Sequence, residues 1–271
     1  MRRLAVVAAA ATLCVAGLAA TARADAPANV FDGAGVFISN PENFPGPWTL
    51  ADELQQAGFS WVAMQVTDGL TMYDIDPMWI DVFREHGLAV GGWGSEEQHP
   101  LTDAVLADLQ IKQYGLDFYI ANAERAYESN QRGGWRSANF VAVFRKLEPT
   151  LPAALMTLGA APAPFVIPID WAAWRNAGFQ LLPEAYYNKT RVYRPDLTVA
   201  HALRAGWTAS QVHPVIGVWD HYPASNYVPL LQADGAQGFS VFLADQMQPS
   251  DFDALSGLAH AAAAAALAAA P

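Results

Sequence analysis

The sequence predicts an α/β protein, a single (β/α)8 TIM barrel. Three observations carry this. A phrase repeats along the chain, in which a helix-period segment ends in glycine and a short apolar run follows. Eight such runs can be read at a spacing of roughly 25 to 35 residues, which is one β/α unit each. No glycine-rich phosphate loop follows the first run, which disfavours the competing open sheet of nucleotide-binding proteins.

The amino terminus comes first. Arg2 and Arg3 precede an uncharged apolar run from Leu4 to Ala20, and Ala22-Arg23-Ala24 then offers the small-x-small pattern of a signal peptidase site. The layout predicts a secretory signal peptide over residues 1–24, with an uncleaved anchor as the alternative. Leu13 stands before Cys14 where a lipoprotein signal needs a small residue. The expected product is a secreted or periplasmic chain that has no membrane partner after cleavage. Cys14 is the only cysteine and leaves with the signal, so no disulfide, thiolate nucleophile or cysteine metal site is expected in residues 25–271. Loss of Arg2, Arg3 and Arg23 leaves 12 basic residues against 26 acids, moving the formal charge from −11 to −14. That acidity argues against nucleic acid as a partner.

The predicted strands are Gly35 to Ser39, Trp61 to Val66, Ala89 to Trp93, Asp117 to Ala123, Ala153 to Leu158, Phe179 to Tyr186, His213 to Trp219 and Phe239 to Leu243. Most are continuous apolar runs, as in parallel strands covered on both faces. The joints Gly58, Gly87, Gly115, Gly178, Gly206 and Gly238 stand where the residue after a helix adopts positive φ. Asp76-Pro77 reads as a cap followed by proline at the first helical position, and Ser250 with Asp253 as a capping box. The alanine-rich segment from His260 to Ala270 reads as the last helix or its extension.

In such barrels the chemistry lies at the C-terminal ends of the strands. Carboxylates and aromatics gather there, as expected of a glycosidase, which needs one carboxylic acid to protonate the leaving oxygen and a second group to assist at the anomeric carbon. Glu124 is the expected acid. In the run Asp117 to Glu124, Asn122 and Glu124 alternate in phase and point to one side, toward the barrel axis. The alternative is that Glu124 caps the next helix or pairs with Arg125 or Arg132. Glu184, in phase with Tyr186, is the expected partner. The carboxyls should then lie within about 10 Å of each other and open to one cleft. Gln65, Asp68, Trp93, Tyr186, Asn188, Trp219, Asp220 and Asp245 are the candidate substrate-binding residues at the other strand ends. Asp68, before Gly69, reads equally well as a turn residue, and Glu96 and Glu97 read as mostly solvated loop charges, one of which could reach the site. The six histidines never fall in a ligand spacing such as H-x-x-x-H, and no G-x-S-x-G elbow occurs. No metal or cofactor is therefore expected, and the expected partner is a carbohydrate substrate.

Asn122 and Glu124, with Tyr186 or Tyr187 and Asn188, resemble the barrel glycosidases that include family 18 chitinases, family 85 endo-N-acetylglucosaminidases and family 25 lysozymes. The resemblance implies a secreted glycoside hydrolase acting on a polysaccharide or glycoconjugate. The D-x-x-D-x-D-x-E run of chitinases is absent, since Asn122 stands for its last Asp, and Ser39 or Asn40 stands where the lysozymes have Asp. The Asn-x-Glu pair looks more like family 85, in which the amide orients the substrate's own acetamido group as nucleophile. That leaves Glu184 or Asn122 as the group assisting Glu124. A barrel that binds glycan without cleaving it is the second expectation.

Overall fold

Short apolar runs bounded by turn residues can hide both faces only if helices cover one side and other strands' side chains fill the other. The chain does this with eight parallel strands, β1 (Ala34–Ile38), β2 (Trp61–Asp68), β3 (Ala89–Ser95), β4 (Tyr119–Asn122), β5 (Ala153–Thr157), β6 (Gln180–Pro183), β7 (Val215–Gly217) and β8 (Phe239–Phe242). Between and after them run α1 (Pro47–Gln56), α2 (Pro77–Glu85), α3 (Pro100–Tyr114), α4 (Gly133–Leu147), α5 (Trp171–Asn176), α6 (Pro195–Arg204), α7 (Val228–Asp234) and α8 (Pro249–Ala269). The computed structural model describes residues 29–124, 126–128, 132–158, 169–187, 193–220, 222–235 and 237–269. The expected signal peptide lies outside them. Strands β1 to β6 pair in sequence order, and β8 pairs with both β1 and β7. The remaining seam, between β6 and β7, is drawn together by bridges from Leu181 to Val212 and from Glu184 to Val215. The fold is a nearly closed (β/α)8 barrel.

Side-chain alternation divides the core in two. Val36, Val62, Val90, Tyr119, Leu155 and Val241 pack outward under the helices. Phe37, Trp61, Trp93, Phe118, Met156, Leu182 and Tyr186 fill the lumen. Phe31, just ahead of β1, meets Trp61 and Phe118 edge-on at 5.8 and 5.3 Å between ring centres. Above them Phe37, Trp93 and Phe242 form a second aromatic layer, at 6.0 Å for Phe37–Trp93 and 5.6 Å for Trp93–Phe242. Edge-to-face pairs of this kind add about 0.5–1.5 kcal/mol each beyond the area they bury. Glycine makes the room. A Cβ on Gly35 would collide with Trp61, and one on Gly91 with Phe118.

Five of the six predicted joints have positive φ, from 60° at Gly115 to 93° at Gly206. Gly238 does not. Helix α7 ends instead at Gly235, with φ 71°, and Gly238 is needed because a Cβ there would strike the Phe31 carbonyl. Asp76 caps α2 through the Met78 N–H as expected. The capping box at Ser250 is corrected. Helix α8 begins at Pro249, and Asp251 is the anchor, accepting from Gln248 N at 2.9 Å and Ala224 N at 2.8 Å. Among the described residues no helix is long and apolar enough to cross a membrane.

The base of the barrel holds His213, fully buried against Phe31. Burial pushes its pKa from 6.5 down to about 3, opposed by the Ser210 carbonyl facing the ring. Asp32 Oδ1 stands 3.8 Å from Nε2, but burial outweighs this attraction and the ring stays neutral. A folded-state pKa below the unfolded one stabilises the fold above pH 6.5, and that contribution is lost as the pH falls from 6.5 toward 3. Burial raises the Asp32 carboxyl, which works in the opposite sense as it protonates, so the window just below pH 6.5 is the informative one. Between pH 6.5 and 5 the wild type should lose on the order of 2 kcal/mol more stability than His213→Gln. Urea unfolding at the two pH values checks this, and parallel losses in both proteins would remove His213 as the cause.

Candidate active site

The site is built from the end of β4. Phe118 and Ile120 face the lumen, while Tyr119 and Ala121 face the helices. The same alternation brings Asn122 and Glu124 to the lumen side, as the sequence predicts. Asn122 Nδ2 donates to Glu124 Oε1 at 3.0 Å. Asn122 is 7% exposed, and its Oδ1 is buried without a hydrogen-bond partner among the described residues. Glu124 is half-buried, and its backbone carbonyl accepts from Tyr127 N at 2.8 Å in the turn that follows.

Glu184 follows β6 in phase with Leu182, so it points inward, and Tyr186 follows it into the lumen core. Burial holds the Tyr186 phenol well above its ordinary pKa, and the charges of Glu184 and then Glu124 raise it further. One phenol therefore lies within electrostatic reach of both carboxylates. Expected openness is corrected for Glu184. It is 1% exposed, with both carboxyl oxygens sealed from solvent, whereas Glu124 reaches the surface.

A third carboxyl joins them. Glu128, half-buried on the loop after β4, accepts a hydrogen bond from Thr157 Oγ1 at the end of β5. The Tyr193 phenol is raised by burial, then by the charges of Glu128 and Glu184. Glu128 is not among the residues that the strand pattern singles out. Its only signal is its position four residues beyond Glu124 on the loop of a mouth-facing strand.

The remaining predicted residues divide. Trp219 is half-buried and meets Tyr186 edge-on at 4.4 Å, so these two rings cap the aromatic column beside the carboxylates. Gln65 is half-buried on the β2 face that carries Trp61 and Ala63 inward. Trp93, 4% exposed, is corrected from candidate substrate-binding residue to core: its Nε1 donates to the Ile38 carbonyl at 3.1 Å, and Phe37 and Phe242 meet its ring. Asp68 sits exposed in a hairpin in which Thr71–Met72 returns antiparallel along β2, so it is the turn residue. Asp220 is exposed with φ 60°, a left-handed turn position. Asp245 accepts from Asn43 Nδ2 at 2.7 Å and ties the loop after β8 to the loop after β1. Asn188 lies outside the described residues. Glu96, expected in solvent, is instead 3% exposed and bonded to the Tyr119 hydroxyl at 2.9 Å. Among the described residues no three His, Cys, Asp or Glu side chains are grouped to hold a metal ion.

The class this defines is a (β/α)8 barrel with carboxylates and an amide gathered at its C-terminal mouth. Solved structures with the same fold include glycoside hydrolases. A GH18 chitinase from Pseudoalteromonas aurantia aligns at TM-score 0.63 and 11% identity, over 84% of this chain and 99% of that one. A class V chitinase from Nicotiana tobaccum, solved in complex with NAG4, aligns at 0.62 and 8% identity, over 85% and 98%. A chitinase-like agglutinin from Robinia pseudoacacia aligns at 0.60 and 8% identity, over 83% and 99%. No protein-family model matches the sequence, and no curated protein matches it. At these identities the likeness is one of fold, and function has to be argued from the site.

Proposed function

We propose that the protein is an exported glycoside hydrolase that cleaves a glycan beside a 2-acetamido sugar, with Glu124 as general acid and Asn122 as the orienting amide. The observation that carries this is the Asn122–Glu124 pair, in which the amide N–H side holds the acid and the amide oxygen is buried with no hydrogen-bond partner among the described residues. A buried acceptor without a donor is costly, and a ligand N–H placed beside it removes that cost. An acetamido N–H beside the scissile bond is such a donor. Its carbonyl oxygen would bond to C1 as the C1–O glycosidic bond breaks. The leaving oxygen keeps the bonding electrons and takes the Glu124 proton. Water then attacks C1 as the bond from C1 to the acetamido oxygen breaks, its electrons returning to the acetamido carbonyl, and the water's proton passes to the Glu124 carboxylate. Trp219, half-buried, supplies aromatic surface for the sugar ring, with Tyr186 packed edge-on behind it.

The test is reducing-end release from N-acetylated glycans, such as chitin oligomers and peptidoglycan, beside cellulose and mannan. Release from the first group alone is expected, and release from the second alone would overturn the role given to Asn122. A glycan-binding barrel without turnover is the second reading, favoured by the sealed Glu184 carboxyl. Binding to the same glycans with no release over long incubation would establish it. Export predicts that protein recovered from culture medium begins at Asp25, which amino-terminal sequencing reads directly.

A further inference from the structure

Behind the mouth, on the helix side of the sheet, lies a buried polar cluster for which the proposed chemistry has no use. The Tyr119 hydroxyl donates to Glu96 Oε1 at 2.9 Å and meets Thr67 Oγ1 at 3.3 Å, so one hydroxyl from the first residue of β4 joins that strand to the ends of β2 and β3. The sequence clears space for it: a Cβ on Gly94 would collide with both Thr67 Oγ1 and the Tyr119 hydroxyl. Asp103 of α3 accepts from Glu97 N at 3.1 Å. The fully buried Tyr127 phenol feels the charges of Glu96 and Asp103, with Arg136 opposing them.

Residues of this cluster and its neighbours also bond the backbone on both sides of Glu124. Glu96 N donates to the Asn122 carbonyl at 2.8 Å. Tyr127, anchored behind the sheet, donates its N–H to the Glu124 carbonyl at 2.8 Å. Arg136 of α4 donates to the Ala126 carbonyl at 2.6 Å. We propose that Glu96 is a positioning residue, the hub that fixes the end of β4 so that Asn122 and Glu124 hold their register toward the lumen. Burial and the Asp103 charge hold the Glu96 carboxyl well above the usual carboxylate range, with the Tyr119 O–H opposing them.

The catalytic consequence rests on the hydrolase reading, so the test has an arm that needs no substrate. Glu96→Gln keeps an oxygen to accept from Tyr119 and should keep kcat within about threefold. Glu96→Leu should lower kcat by about 10²-fold with KM changed less than threefold, the size expected when a reacting group is displaced by about 1 Å. By hydrogen-exchange mass spectrometry, Glu96→Leu should speed exchange of peptides spanning residues 120–128 by about tenfold or more, leaving peptides of β7 and β8 unchanged. Glu96→Gln should restore protection. Tyr119→Phe should show the same local signature more weakly, and it decides the matter if Glu96→Leu does not fold. Unchanged exchange at 120–128 in both Glu96→Leu and Tyr119→Phe, a uniform rise across the whole chain, or failure of Glu96→Gln to restore protection would each overturn the proposal. A wild-type protein with no turnover would sink the hydrolase reading and leave the hub to be decided by exchange alone.

Discussion

Glu124→Gln is expected to lower kcat by about 10²- to 10⁴-fold, the usual worth of a positioned general acid. Folding should survive. The glutamine oxygen can still accept from Asn122 Nδ2, so the 3.0 Å bond persists, and the backbone bond from Tyr127 N does not involve the side chain. Glycan affinity should change little for the same reason. The leaving group provides the sharper measurement. An aryl glycoside whose phenol is already acidic needs little protonation at the bridging oxygen, so the mutant should lose far less on it than on a natural glycan. Equal losses on both substrates would point to a structural role for Glu124. More than a tenth of wild-type kcat in a folded mutant, on the natural glycan, would remove Glu124 from the acid role altogether.

Much of the fold is legible in the residues because a parallel strand covered on both faces has few ways to be written. Eight short apolar runs and their glycine joints locate all eight strands to within a few residues. Misreadings fall where two causes produce the same residue. Gly238 and Gly235 are both glycine, one for want of space and one for its φ of 71°, and only the structure separates them. Asp251 rather than Ser250 anchors α8 because part of its work is done for Ala224, a partner distant in sequence. Strand alternation foretells the inward phase of Asn122, Glu124, Glu184 and Tyr186. It says nothing about depth, so Trp93 and Glu184 read as mouth residues although both are sealed. Glu96 is misread for a related reason. A glutamate in a loop is ordinarily solvated, and what buries this one is Tyr119, from the next strand. Glu128 lies outside any strand, where period carries no information at all.

The group that assists Glu124 is the point on which the geometry shifts the expectation drawn from sequence. Glu184 faces the right way, but its carboxyl oxygens are buried like the Asn122 Oδ1, so either group meets a substrate only when the mouth opens, and it is Asn122 that bonds to Glu124. Asn122 touches Glu124 and presents a buried oxygen with no partner among the described residues. Asn122→Ala should therefore reduce kcat on an N-acetylated glycan by about 10²- to 10³-fold, the loss seen when one preorganised hydrogen-bonding group is removed from a reacting centre. Glu184→Gln should cost less than about tenfold, acting through Tyr186 and the field it shares with Glu124. The substrate's acetamido oxygen is the nucleophile in this scheme, so a glycan lacking that group should not be turned over by the wild type. A covalent mechanism reverses the order of the two mutants. Then Glu184→Gln would fall as far as Glu124→Gln, added azide would restore product as a glycosyl azide, and mass spectrometry of the wild type with a slow fluorosugar substrate would find the sugar bonded to Glu184. Observation of that adduct would return the partner's role to Glu184 and require the mouth to open around it during turnover.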